Sequence, residues 1–281
     1  VVHSIIYDEK LGVATGVKVI DALTRETHVF KARIIFVNAS ALNTNLILLN
    51  SKSKRFPNGL GNDNGLLGTH ICFHNYRAGM SGEIDGFEDK YYEVRKPAEC
   101  IIPNFRNVKR QDTDFVGGYV IFSGAGRPGW NDNGGVGPEF KKAVSQPGKW
   151  NAYMYMQGET IPKVSNHVRL SVDKKDQWGI PLLVTSVGYD DNDDRMVRDF
   201  LAEGRKMMEA AGFKNIQSSD NHQAPGLDIH EMGGVRMGKD PKTSLLNEHN
   251  QLHLCSNVYV TDGACMTSSG NQSPSILYMA L

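Results

Sequence analysis

At 281 residues the chain is long enough for one large or two modest domains. Its 31 basic and 31 acidic residues cancel, so bulk charge gives no pull toward nucleic acid or an anionic membrane surface. A composition of 40% hydrophobic and 22% charged residues is ordinary for a globular protein, and no apolar run reaches the roughly 20 residues that span a bilayer.

The chain opens with alternating apolar and polar residues over 1–21, broken at Gly12, which predicts a hairpin. A further strand is expected over 27–31. The run Arg33-Ile-Ile-Phe-Val-Asn38 reads as a strand buried on both faces, and Asn45-Leu-Ile-Leu-Leu-Asn50 as helical. The stretch 59–68 is rich in Gly and Asn and predicts a loop with a short helix. From Tyr76 to about Ser219 short strands alternate with irregular loops: 91–94, 99–103, 117–123, 150–157, 168–172 and 182–189, with a turn at 174–179. That pattern predicts a mostly antiparallel sheet. The glycine cluster at 124–129 contains Pro128 and reads as a loop. The long segment around Trp130 has the composition of a lid.

Residues 191–212 form the strongest helix candidate. Acidic residues crowd its start, and Met196, Phe200, Met207 and Met208 line one side as core. Aromatics of the middle region (Tyr91, Tyr92, Trp130, Trp150, Tyr153) are candidates for stacking on a sugar, with core or rim packing as the plainer alternative. The four cysteines (Cys72, Cys100, Cys255, Cys265) lack C-x-x-C spacing, so buried free thiols are expected rather than zinc ligands or a redox pair.

Two stretches near the end carry the chemistry. Gly226-Leu-Asp-Ile-His-Glu-Met-Gly-Gly-Val-Arg-Met-Gly238 offers a histidine before a glycine-rich turn. The second stretch, 258–281, reads as strand (Val258, Tyr259, Val260), break (Asp262-Gly263) and helix. Ser273 is its expected N-cap and Pro274 sits in the first turn. A helix N-terminus presents free N–H groups and partial positive charge, which suits an anion or an electron-rich ring.

The pattern H-x-x-G-G-x-R-M-G, followed by a strand ending Asp-Gly and then a short polar residue before Pro-Ser and an apolar helix, resembles the C-terminal signature of the glucose–methanol–choline (GMC) flavin oxidoreductases. Asn38-Ala-Ser-Ala41 leading into the 45–50 helix, the 59–74 segment ending at His74, the 154–162 and 166–171 strands, and Trp178-Gly-Ile-Pro181 resemble further family segments. In style the end of the chain is closest to bacterial gluconate- and glucoside-dehydrogenase-like members and to pyranose oxidases. The resemblance implies an α+β fold: part of an FAD-binding domain over 1–75, an antiparallel substrate-binding domain over 76–219, and the rest of the FAD-binding domain, with the catalytic motif, over 220–281. The family's opening G-x-G-x-x-G turn is absent, so the chain is expected to be the C-terminal portion of a longer enzyme.

The resemblance also implies FAD as cofactor and a small-molecule alcohol, such as a sugar, as substrate. A protein or quinone electron acceptor would be a further partner, and the compartment stays open between bacterial periplasm and cytoplasm. His230 takes the family's position of general base; a neutral imidazole suits proton removal near pH 7. The second catalytic position, usually His or Asn, falls on Ser273, with Asn271 as a substitute. Val2, Asp262, Gly263, Ser273, Pro274 and Ser275 fall where the family contacts FAD. Two alternatives stand beside alcohol oxidation: a GMC-like flavin lyase, and a non-catalytic fragment that does not hold FAD.

Overall fold

The computed structural model describes residues 1–90, 99–127, 135–145, 148–227 and 229–281. In chain order the elements begin with β1 (Val2–Asp8), β2 (Val13–Ile20), β3 (Thr27–Lys31), β4 (Ile35–Phe36) and α1 (Ala41–Asn50). Then come β5 (Thr69–Cys72), β6 (His74–Asn75), β7 (Ala78–Ile84), β8 (Cys100–Ile102), β9 (Tyr119–Gly126), α2 (Pro138–Val144) and β10 (Trp150–Glu159). The remainder are β11 (His167–Lys175), β12 (Pro181–Ser186), α3 (Asp191–Ala210), β13 (Lys214–Asp220), β14 (Met232–Gly234), β15 (Gln251–Leu252), β16 (Cys255–Tyr259) and α4 (Ser275–Ala280). A 3-10 turn spans Gly263–Cys265. The fold is mixed α+β with mostly antiparallel sheets.

The chain divides into two compact units. The first comprises Val1–His74, Glu159–Gly188 and Pro225–Leu281, and the second Asn75–Gly158 and Tyr189–Ala224. The sequence places one boundary near residue 75 and a second near 220. The structure instead returns Glu159–Gly188 to the first unit, because β11 pairs with β5 as well as with β12.

In the first unit, β1, β2 and β3 form an antiparallel sheet in that order. Gly12 makes the expected turn with φ 70°, its N–H bonded to the Asp8 carbonyl at 2.8 Å. A second sheet runs β12-β11-β5-β14 and a third β15-β16-β4. Helix α1 packs on β1, β11, β14 and the 3-10 turn, so it is the hub of this unit. Its internal face carries polar residues, Thr44 and Asn45, each fully buried. The 33–38 run is not a strand buried on both faces. Only Ile35–Phe36 pairs, in parallel with β16. Ile35 and Val37 point inward while Ile34 and Phe36 are exposed, as alternation on a one-sided edge requires. Nor does 59–68 contain a helix; it is a series of turns in which Gly59, Gly61, Gly65 and Gly68 all take positive φ.

The second unit is a sheet in the order β13-β7-β10-β9-β8, with α3 over β7 and β13. Its core is Tyr119, Phe115, Ile121, Met156, Met196, Phe200 and Met208, with Met207 only partly buried. The phenol of Tyr119 donates to Asp199 at 2.6 Å, and Arg106 grips the same carboxylate with two bonds of 2.8 Å. Helix α3 starts in a full capping box: the Asp190 carboxylate accepts from Asn192 and Asp193 N–H, and the Asp193 carboxylate accepts from Asp190 N–H. Gly124-Ala-Gly126, expected in a loop, completes β9 instead, where it pairs with β10. The strand expected at 91–94, Tyr91, Tyr92, and the Trp130 segment lie outside the described residues. Helix α2 was not anticipated; Pro138 opens it after Gly137 at φ 99°. Trp150 lines an apolar cavity of about 280 Å³ with Ile84, Phe87, Ala125 and Phe213. All four cysteines are free thiols; Cys72, Cys255 and Cys265 are buried as expected, but Cys100 on the edge strand β8 is exposed.

Candidate active site

The two C-terminal stretches meet inside the first unit. Strand β14 is held between β5 and the 3-10 turn: the Val235 and Met237 N–H groups donate to the Ala264 and Cys265 carbonyls, each at 3.0 Å. That packing explains the paired glycines before Val235. A Cβ on Gly233 would lie 2.3 Å from the His70 carbonyl, and one on Gly234 would lie 2.2 Å from the Asn45 carboxamide. Both glycines take positive φ, 87° and 91°. Asn45 in turn donates to the Gly233 carbonyl at 3.0 Å, which ties α1 to the turn.

His230 sits just ahead of β14. Its ring is partly buried, and Nδ1 is fully buried with no hydrogen-bond partner among the described residues. Burial pushes its pKa below the ordinary value, outweighing the opposite pull of the Glu231 carboxylate, so the imidazole is neutral at pH 7. The rings of His230 and His74 meet perpendicular to one another, centroids 5.0 Å apart and planes at 87°. His74 ends the 59–74 segment that resembles a segment of the family.

Asp262 ends the strand as expected, but its carboxylate is engaged within the protein. One oxygen accepts from Thr44 Oγ1 at 2.6 Å and the other from the Ala264 N–H at 2.9 Å. Burial raises its pKa, and these hydrogen bonds oppose that rise. Asp262 therefore shapes the turn through its side chain. A Cβ on Gly263 would meet the Glu231 carbonyl at 2.7 Å and the Tyr278 hydroxyl at 3.0 Å. Tyr278 of the terminal helix thus packs against the turn, and burial raises its own pKa. Cys72 and Cys265 nearby are pushed up to about 12 by burial, so both are thiols at neutral pH.

Helix α4 differs from expectation. It begins at Ser275, one residue later than Pro274 at N1 would require, and Pro274 occupies the N-cap position. Ser273 lies outside it, exposed, with no capping bond. At six residues the helix aligns few peptide dipoles, so its positive end is weak. Asn271 is buried at 4% exposure. The loop before the helix is stitched to the His74 side by one residue, Thr160. The Thr160 N–H donates to Ser269 Oγ at 3.2 Å, while its hydroxyl accepts from the Phe73 N–H at 3.0 Å and donates to the Phe73 carbonyl at 2.6 Å. At the far end, Val1 exchanges both backbone bonds with Ile20, so the adjacent Val2 turns its N–H and C=O to the open edge of β1. Among the described residues no group of three or more His, Cys, Asp or Glu could hold a metal ion. No helix among them is long and apolar enough to cross a membrane.

Residues 162–281 match the family profile described as GMC oxidoreductase. The match is to the C-terminal part of that family's proteins and covers the end of this chain. The chain is 28% identical over 97% of its length to 2-methyl-1,2-propanediol dehydrogenase of Mycolicibacterium austroafricanum, of which the match covers 50%. It is 26% identical over 92% of its length to the fructose dehydrogenase large subunit of Gluconobacter japonicus, covering 47% of that protein. The crystal structure of pyridoxine 4-oxidase from Mesorbium loti superposes with a TM-score of 0.57 at 16% identity, over 99% of this chain and 55% of the other, a likeness of fold. The chain spans about half the length of the curated relatives it matches. FAD is the cofactor of this family.

Proposed function

We propose that this chain contributes the proton-accepting part of an FAD-dependent oxidoreductase that oxidises an alcohol group, with a sugar, sugar acid or glycoside as the substrate class. One observation carries the reading: the imidazole of His230 is neutral and only partly buried, with Nδ1 sealed inside and unpartnered. A ligand therefore reaches the ring from its Nε2 side. The names of two relatives, a 2-methyl-1,2-propanediol dehydrogenase and a fructose dehydrogenase large subunit, agree with a hydroxylated small molecule.

The residues present fit the cofactor. The open main chain of Val2, the glycine at 263 and the main chain of Pro274 and Ser275 are the groups that would hold it, and bound FAD would supply the acceptor for the hydride leaving the alcohol carbon. The remaining chemistry belongs to the chain. The alcohol places its O–H against His230, and the proton passes from that oxygen to Nε2 as the carbonyl forms. Burial favours this transfer at neutral pH, because a ring already protonated in the resting protein would have no site for the proton. Ser273 and Asn271 are the candidates for a second contact to the hydroxyl. Exposure favours Ser273, whose hydroxyl reaches solvent where the Asn271 carboxamide does not.

The test is anaerobic addition of a sugar or glycoside to the FAD-loaded enzyme. Bleaching of the flavin absorbance is expected, slowed about 100-fold or more by His230→Ala while FAD stays bound. An undiminished rate in the variant removes the assignment of His230. Product without bleaching favours lyase chemistry instead.

A further inference from the structure

The strand register sets a second histidine against the first. Strands β5 and β14 run antiparallel with Cys72 opposite Met232. Two residues beyond Cys72 lies His74, and two residues before Met232 lies His230. Antiparallel strands place such positions opposite each other and on the same face. The rings do meet there, perpendicular, at 5.0 Å. His74 is 1% exposed, and the residue before it is clamped at both backbone groups by the Thr160 hydroxyl, so its position is set by the sheet.

This geometry bears on a requirement of the reaction proposed above. For Nε2 of a neutral imidazole to accept a proton, the ring's own hydrogen must sit on Nδ1. Nδ1 of His230 is buried and has no N or O partner among the described residues. A buried donor left unsatisfied costs about 1–3 kcal/mol, and free imidazole prefers the opposite tautomer. A perpendicular aromatic face is an acceptor for an N–H group. We propose that His74 is a positioning residue: its ring receives the buried Nδ1–H edge of His230 and holds that imidazole in the tautomer whose Nε2 accepts the substrate proton. The inference rests on His230 being the base. The other titratable groups around the pair do not supply the missing acceptor. Cys72 and Cys265 are thiols, the Tyr278 hydroxyl makes no hydrogen bond to Nδ1, and the Asp262 carboxylate is engaged by Thr44 and Ala264. Glu231 neighbours the ring in sequence but makes no hydrogen bond to Nδ1.

Nitrogen-15 imidazole spectra of the chain described here, at neutral pH and without substrate, separate the tautomers by which ring nitrogen carries the proton. His230→Gln assigns the signals. The expected result is Nδ1-protonated His230 in the unaltered chain and in His74→Phe, which keeps an aromatic face, and a switch to the Nε2-protonated form in His74→Leu. An Nε2-protonated His230 in the unaltered chain overturns the proposal, as does a switch in His74→Phe or none in a folded His74→Leu. Because this readout needs no turnover, it fails independently of the flavin-bleaching test of His230 as base. In the FAD-loaded enzyme, His74→Leu is expected to lower kcat at least 10-fold with KM little changed, and His74→Phe to restore most of it.

Discussion

At the scale of single residues, the site is held by side chains that never face a ligand. Thr44 and Asn45 on α1 reach the Asp262 turn and the Gly233 carbonyl, and both are completely buried. Replacing Thr44 by Val removes a donor from a buried carboxylate without opening a cavity. The loss should be about 1–3 kcal/mol in urea unfolding, with the chain still folding at low denaturant. Gly234→Ala should do more. It adds a Cβ inside contact distance of Asn45 at a φ of 91°, so both overlap and backbone strain oppose it. We expect little soluble protein from this variant, and an Asn45→Ala change on top of it should restore some, which expression yield will check. His230 and the Asp262 turn stand out in the sequence because their motifs are local. Thr44, Asn45, Thr160 and His74 do not, since their partners lie more than a hundred residues away or depend on a register that no single strand reveals.

At the scale of elements, local patterns were read well where one face of an element is buried. The β1–β2 hairpin, β9, β10, β11 and α3 all fall close to the positions expected from alternation or helical periodicity. Helix α3 is the clearest case, because its cap, acidic first turn and Met–Phe stripe agree with one another. Asp190→Ala should cost about 1 kcal/mol through loss of the capping box, measurable as a shift in thermal midpoint. Readings failed where composition and exposure part company. The apolar run around Ile35 looked like a doubly buried strand, yet it has a paired neighbour on one side only, so alternate residues face out. Helix α4 looked well capped, but Ser273 forms no cap and the helix exposes its Ile, Leu and Met side chains.

For the whole molecule, the return of Glu159–Gly188 to the first unit is not legible in the sequence: β11 and β12 follow strands of the second unit in the chain, yet β11 pairs with β5 and β12 with β11. Order along the chain carries no record of that return. The titrating groups give a prediction at this scale. Burial lowers the pKa of His3, His70 and His230. The unfolded chain therefore binds protons first as the pH falls. The resulting contribution to stability is full above about 6.5 and is lost as the pH drops below that toward the folded values. Thermal midpoints should decline from pH 7.5 to 5.5, and His230→Gln should flatten part of that slope. A midpoint that rises with acidification would contradict the burial of these rings.

Three of the four sulfurs are shut away and the fourth, on β8, opens to water. A maleimide dye should therefore attach once per native chain and four times once the chain is opened by denaturant. Fluorescence per mole of protein becomes a direct counter of molecules that have lost their interior.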